Sequence, residues 1–211
     1  MATPTDVFVN CPFDDDYRPL LEAYTFVVHD CGLRARCSLE ANDGGDVRID
    51  KIKRLIRQSR FGIHDISRTE LDSGSGMPRF NMPLELGIYL GARSFGDSVQ
   101  RRKVALIFER RQFSYQTYCS DISGQDVYAH GGDPDVAIVK VRDWLATNVS
   151  RRLPGGVDIK NRFRKFQQQL PEMCESLRWQ RDTLPFRDFQ GLVVQWLRVE
   201  RQLLAQEVSG H

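Results

Sequence analysis

Two acidic residues sit where an α/β protein places its chemistry. Asp65 closes the apolar run Phe61-Gly62-Ile63-His64-Asp65-Ile66-Ser67. Glu85 lies in the stretch Asn81-Met82-Pro83-Leu84-Glu85-Leu86-Gly87-Ile88-Tyr89-Leu90-Gly91, and a Gly/Ser-rich loop separates the two. The first reads as a strand, the second as a helix with Glu85 in its first turn. In an open parallel sheet, ligands bind outside the carboxyl ends of the strands, and both carboxylates are expected there. Two carboxylates on one crevice suit cleavage of a glycosidic bond, because positive charge builds on the sugar as that bond breaks. Plainer readings stand beside this one. Glu85 can complement the helix dipole, although an acid among Leu84, Leu86 and Ile88 must be paired or belong to a site, and Gly87 permits a close approach. Asp65 can form an Asx-turn with Ser67, or it can orient ribose hydroxyls or tune Glu85. His64 reads as a packed strand residue.

The loop Asn10-Cys11-Pro12-Phe13-Asp14-Asp15-Asp16-Tyr17 follows a short β-prone run, Val7-Phe8-Val9. Asn and Pro can simply shape the turn. Alternatively Phe13 or Tyr17 stacks on a base and Asn10 bonds the sugar, with Ser67, Arg68 and Asn81 completing the pocket. The loop contains no Gly, so it is not a dinucleotide fingerprint, and the chain has no Gly-Lys-Ser/Thr phosphate loop. No His has metal-ligand spacing. Five scattered cysteines, Cys11, Cys31, Cys37, Cys119 and Cys174, make no Cys-x-x-Cys pair, so free thiols are expected, with no metal and no cofactor.

These residues need a scaffold. Apolar periodicity predicts helices over 17–31, 46–59, 83–92 and 133–144, with strands at 7–9, 33–38, 60–66 and 104–108. Asp133 and Pro134 are a good N-cap and first residue for the fourth helix. Strands alternating with helices imply a parallel sheet with helices on both faces. The polar segment 110–132 is long for a structureless loop, so a short element or a role at the site mouth is expected. After the linker candidate Leu153-Pro154-Gly155-Gly156 come two amphipathic helices, 159–177 and 186–207, the first carrying Pro171. The chain therefore divides into an α/β domain, 1–153, and a helical extension, 154–211. The extension's Trp179, Phe186, Phe189, Trp196, Leu197, Leu203 and Leu204 suggest a homo-oligomeric or partner-protein interface, with capping of the sheet as the alternative.

The 211 residues are 41% hydrophobic and 27% charged with a net charge of +2, a composition of globular proteins that argues against a dedicated nucleic-acid binder. The basic residues Lys160, Arg162, Arg164 and Lys165 read as a solvated helix face. No stretch is long and apolar enough for a membrane span. The N-terminal residues have neither the basic flank nor the apolar core of a secretory leader, so a cytoplasmic location is expected.

The opening Val7-Phe8-Val9-Asn10-Cys11-Pro12-Phe13, the strand ending at Asp65, and Asn81-Met82-Pro83-Leu84-Glu85-Leu86-Gly87 together resemble the nucleoside 2-deoxyribosyltransferase-like proteins and the related TIR-domain NAD-cleaving enzymes. The resemblance covers roughly residues 6–150. It implies a flavodoxin-like fold with the catalytic Glu, here Glu85, on the helix after the third strand. Where the transferases carry a base-contacting Asp, six residues before the Glu, this chain has Arg79. That departure turns the expectation from nucleobase transfer toward a phosphorylated or dinucleotide substrate, NAD foremost. Proteins of this appearance often serve as toxic effectors of bacterial antiphage defence. The expected activity is thus a nucleotide N-glycosidase, with a non-cleaving nucleotide sensor or a deoxyribosyltransferase as alternatives.

Overall fold

The computed structural model describes residues 5–40, 43–68 and 80–209. Its sheet has five strands, β1 (Asp6–Asn10), β2 (Arg34–Arg36), β3 (Phe61–Asp65), β4 (Val104–Glu109) and β5 (Val127–Ala129). All pair in parallel in the order β2-β1-β3-β4-β5, which is the flavodoxin-like arrangement. The connecting helices are α1 (Arg18–Asp30), α2 (Arg48–Gln58), α3 (Asn81–Phe95) and α4 (Pro134–Asn148).

Alternation along the strands builds two cores. Val7, Val9, Phe61, Ile63, Leu106 and Phe108 join Val27, Val28, Ala137, Ile138 and Val141 of α1 and α4. Phe8 turns the other way onto Ile52, Ile56 and Tyr89, and Ile107 packs with Met82 and Leu86. With helices on both faces, the central strands have no exposed side, so they read as continuous apolar runs. The 110–132 segment does hold a short element. The three residues of β5 pair with Ile107, Phe108 and Glu109 at the end of β4.

Beyond the sheet lie α5 (Gly156–Ser176) and α6 (Phe186–Ser209). Pro171 sits inside α5, which continues through it as one helix. These helices form a further layer over α1. The Phe26 ring of α1 lies 5.3 Å from Phe163, 5.4 Å from Phe166 and 5.9 Å from Trp196, centroid to centroid. Phe186, Phe189, Trp196 and Leu197, expected on an interface, are therefore buried within the chain. Trp179, Leu203 and Leu204 remain exposed. The α/β body covers more of the extension than its size suggests because α1 is apolar on its outer face as well. The basic face of α5 is paired inside the chain: Arg162 with Asp30, Arg164 with Asp135 and Lys165 with Glu200. No described helix is long and apolar enough to cross a membrane.

Candidate active site

The strand order reverses direction around β1, so the crevice of this sheet opens at the carboxyl ends of β1 and β3. Register puts Asn10 directly beside His64 there. The Asn10 side-chain amide donates to His64 Nδ1 at 3.1 Å and to the Met82 carbonyl at 2.9 Å, tying β1 to β3 and to the start of α3. Because His64 Nδ1 accepts, its proton is on Nε2. That nitrogen has no hydrogen-bond partner among the described residues; its ring lies edge-on to Tyr89 at 4.6 Å. A Cβ on Gly62 would come within 2.6 Å of His64 Nε2 and 2.8 Å of the Tyr89 ring, so the pair needs glycine there. Burial, followed by the charge of Lys103, pushes the His64 imidazole down to about 3. It is the packed strand residue that the sequence suggested.

Asp65 is fully buried and its carboxylate is engaged by its own chain. It accepts from the hydroxyls of Tyr17 and Tyr24, the latter at 2.6 Å, from the Ser67 amide at 3.1 Å and hydroxyl at 2.5 Å, and from His130 Nε2 at 3.0 Å. His130 Nδ1 accepts from the Gly132 amide at 2.8 Å, which leaves the ring proton on Nε2, facing Asp65. Gly131 and Gly132 both have positive φ, at 64° and 84°, so the turn that folds back onto the imidazole needs them. Burial alone raises the Asp65 carboxyl. The hydrogen bond of His130, with the Ser67 and Tyr17 bonds, outweighs that and holds it below its ordinary value. The Asx-turn with Ser67 is present, and the carboxylate also holds together β3, α1, the first loop and the β5–α4 turn. It has little capacity left for ribose hydroxyls. His130 and Tyr24 were not apparent as members of this cluster, since nothing local in the sequence marks either one.

Glu85 presents the opposite case. The helix α3 begins at Asn81, with Pro83 as its third residue, where an amide has no intrahelical acceptor to lose. Glu85 therefore lies in the second turn, beyond the reach of the dipole explanation. It shares the buried face of α3 with Met82, Leu86 and Tyr89 and is 7% exposed. Leu84 is exposed, and Gly87 faces open space among the described residues. No described group donates a hydrogen bond to the Glu85 carboxyl. Burial pushes that carboxyl from 4.5 up to about 7, against a lowering by Arg48. Both acids act on the Cys11 thiol, which is pushed up by burial and then by the charges of Asp65, Cys37 and Glu85. Asp65 and Glu85 thus flank the carboxyl end of β1 without touching each other.

A cleft of about 470 Å³ is lined by Phe13, Arg18, Glu22, Ser38, Arg48 and Lys51 together with Arg181, Leu184 and Phe186 of the extension, and neither Asp65 nor Glu85 is among its lining residues. Arg48 links the cleft to Glu85, as a lining residue and as a cation acting on that carboxyl. Phe13 lies on the cleft. Tyr17 does not; it is buried with its hydroxyl on Asp65 and His130. Arg68 closes back on Asp14 at 2.6 Å and Asp16 at 3.3 Å. Asn81 is exposed at the start of α3. Arg79 and the Gly/Ser-rich loop lie outside the described residues. Among the described residues, no group of three His, Cys, Asp or Glu side chains could hold a metal. No protein-family model and no curated protein matches this chain.

Proposed function

We propose that the protein is an N-glycosidase that cleaves the base–ribose bond of a nucleotide, with NAD as the favoured substrate. The observation that carries the reading is Glu85, a buried carboxyl without a hydrogen-bond donor among the described residues, whose electrostatic partner Arg48 lines an open cleft. An acid kept unpaired and desolvated costs stability, and such groups cluster at functional sites. Ionised, Glu85 would stabilise or trap the oxocarbenium-like sugar as the base leaves. Nicotinamide departs from NAD as a neutral molecule and needs no acid. Asp65 acts indirectly in this scheme, by fixing the first loop and Ser67 through its hydrogen bonds. The antiphage role rests on the sequence resemblance alone.

Incubation with NAD and with free nucleosides, followed by chromatography of the released base, tests the proposal. Glu85→Gln should lower turnover roughly a thousandfold. Turnover should also rise with pH through about 7, where Glu85 ionises. Base release unaffected by the substitution would remove Glu85 from the mechanism.

One observation favours a second reading, a module that binds a nucleotide without cleaving it. The acceptors of Asp65 are engaged, so Asp65 is not a second free carboxylate ready to activate water. Tight binding by calorimetry with no released base would select that reading.

A further inference from the structure

The cleft beside Arg48 is built from two distant parts of the chain. Its inner wall comes from the first loop, the end of β2 and the start of α2. Its outer wall is the segment joining α5 to α6, with Arg181, Leu184, Pro185 and Phe186. That segment is clasped to the α/β body. The Arg181 guanidinium reaches both carboxylate oxygens of Glu22, at 2.7 and 2.8 Å, and Gln167 of α5 donates to the same carboxylate at 2.7 Å. Arg18 donates in return to the Asp182 carbonyl at 2.6 Å. Glu22 is only 5% exposed, so without these partners it would be a buried unpaired charge.

The charge lining this cleft is one-sided. Among the described residues lining it, Arg18, Arg48, Lys51 and Arg181 stand against a single carboxylate, Glu22, which the clasp already neutralises. Arg48 is the least committed of these cations. It is exposed, and its hydrogen bond to the Ser38 hydroxyl is a long one, 3.4 Å. As the first residue of α2 it gains nothing from the helix dipole, which favours acids at that end. Such a cation is explained by a ligand better than by the fold. Low-dielectric walls of one charge sign concentrate anions, and guanidinium groups suit phosphate oxygens in particular. Phe13 offers an aromatic face next to the same space.

We propose that this cleft is a phosphate subsite, with Arg48 as its primary anion contact and the Arg181 segment of the C-terminal extension as its outer wall, so that the protein selects phosphorylated nucleosides over free ones. This deepens the proposed function and takes from it only the position of the reacting sugar, near Glu85. It gives the extension a role within the ligand site of its own chain.

The test is calorimetry of the full-length protein with AMP, adenosine and inorganic phosphate. AMP should bind at least tenfold more tightly than adenosine. Arg48→Gln should abolish most of that preference by weakening AMP binding far more than adenosine binding. Because Arg181→Gln can loosen the clasp, the wall is tested in the unmodified protein, where AMP should slow amide hydrogen exchange across residues 181–186. Equal affinity for AMP and adenosine, absence of AMP binding, an unchanged preference in Arg48→Gln, or unaltered exchange at 181–186 would each overturn the proposal. Base release from NAD without phosphate preference would leave the glycosidase standing and sink the subsite. Selective AMP binding without base release would do the reverse.

Discussion

Replacing Glu85 by Gln should stabilise the protein, and only at neutral to alkaline pH. The carboxyl titrates near 7 in the fold against an ordinary 4.5, a difference equivalent to about 3 kcal/mol. The sign follows from proton counting. Between those two values the folded state holds a proton that the unfolded chain has released, so stability falls as pH rises. Below about 4.5 both states are protonated and nothing is lost; above about 7 the whole penalty is present. Gln copies the size and neutrality of the protonated acid, so it escapes the penalty. Chemical denaturation at pH 8.5 should therefore show Glu85→Gln more stable than the parent by about 2–3 kcal/mol, a gain of several degrees in Tm for a chain of this size. At pH 4 the two should coincide. A variant less stable than the parent at pH 8.5, or equally shifted at both pH values, would refute the view that Glu85 is an unpaired, desolvated acid.

Tyr24→Phe removes one hydroxyl from the Asp65 carboxylate and should cost about 1–3 kcal/mol. Because Asp65 is held below its ordinary 3.8, that deficit should be full above this value and shrink as pH falls further; a deficit constant down to pH 2 would count against the hub. Phe13→Ala should weaken nucleotide binding by about 1–3 kcal/mol if its ring stacks on a base, and unchanged calorimetric affinity would return Phe13 to a packing role. Phe166→Ala opens the aromatic layer between α1 and α6 and should cost about 3–5 kcal/mol while leaving a single melting transition. Two separate transitions would show that the extension folds apart from the body.

The architecture was largely legible because its signals are local. Runs such as Val104 to Phe108 and the caps at Asp133 and Pro134 carry their own evidence, and Asp133 does accept from the Asp135 amide. The three residues of β5 are too few to show a period, and their strand conformation comes from pairing with β4. Proline in a helix interior can bend or interrupt it, yet burial of Leu170 and Cys174 carries α5 straight through Pro171. At the site, Glu85 was visible as an acid on an apolar face. That Asp65 is engaged was not visible, because its partners Tyr17, Tyr24 and His130 come from three elements that only the folded chain brings together. The clasp between Glu22 and Arg181 is hidden for the same reason.

The burial of α1 on both sides has a consequence for biosynthesis. One face waits for the sheet, which closes early, but the outer face around Phe26 is covered by residues of α5 and α6 near the end of the chain. On a ribosome adding about 5–20 residues per second, Phe26 emerges on the order of ten seconds or more before Trp196 can reach it. A nascent chain thus carries an apolar strip that its own last helices will cover, and a message truncated before α6 yields a product with that strip permanently open. Such fragments should be substrates for chaperones and proteases, so that only chains translated into α6 acquire a complete cleft.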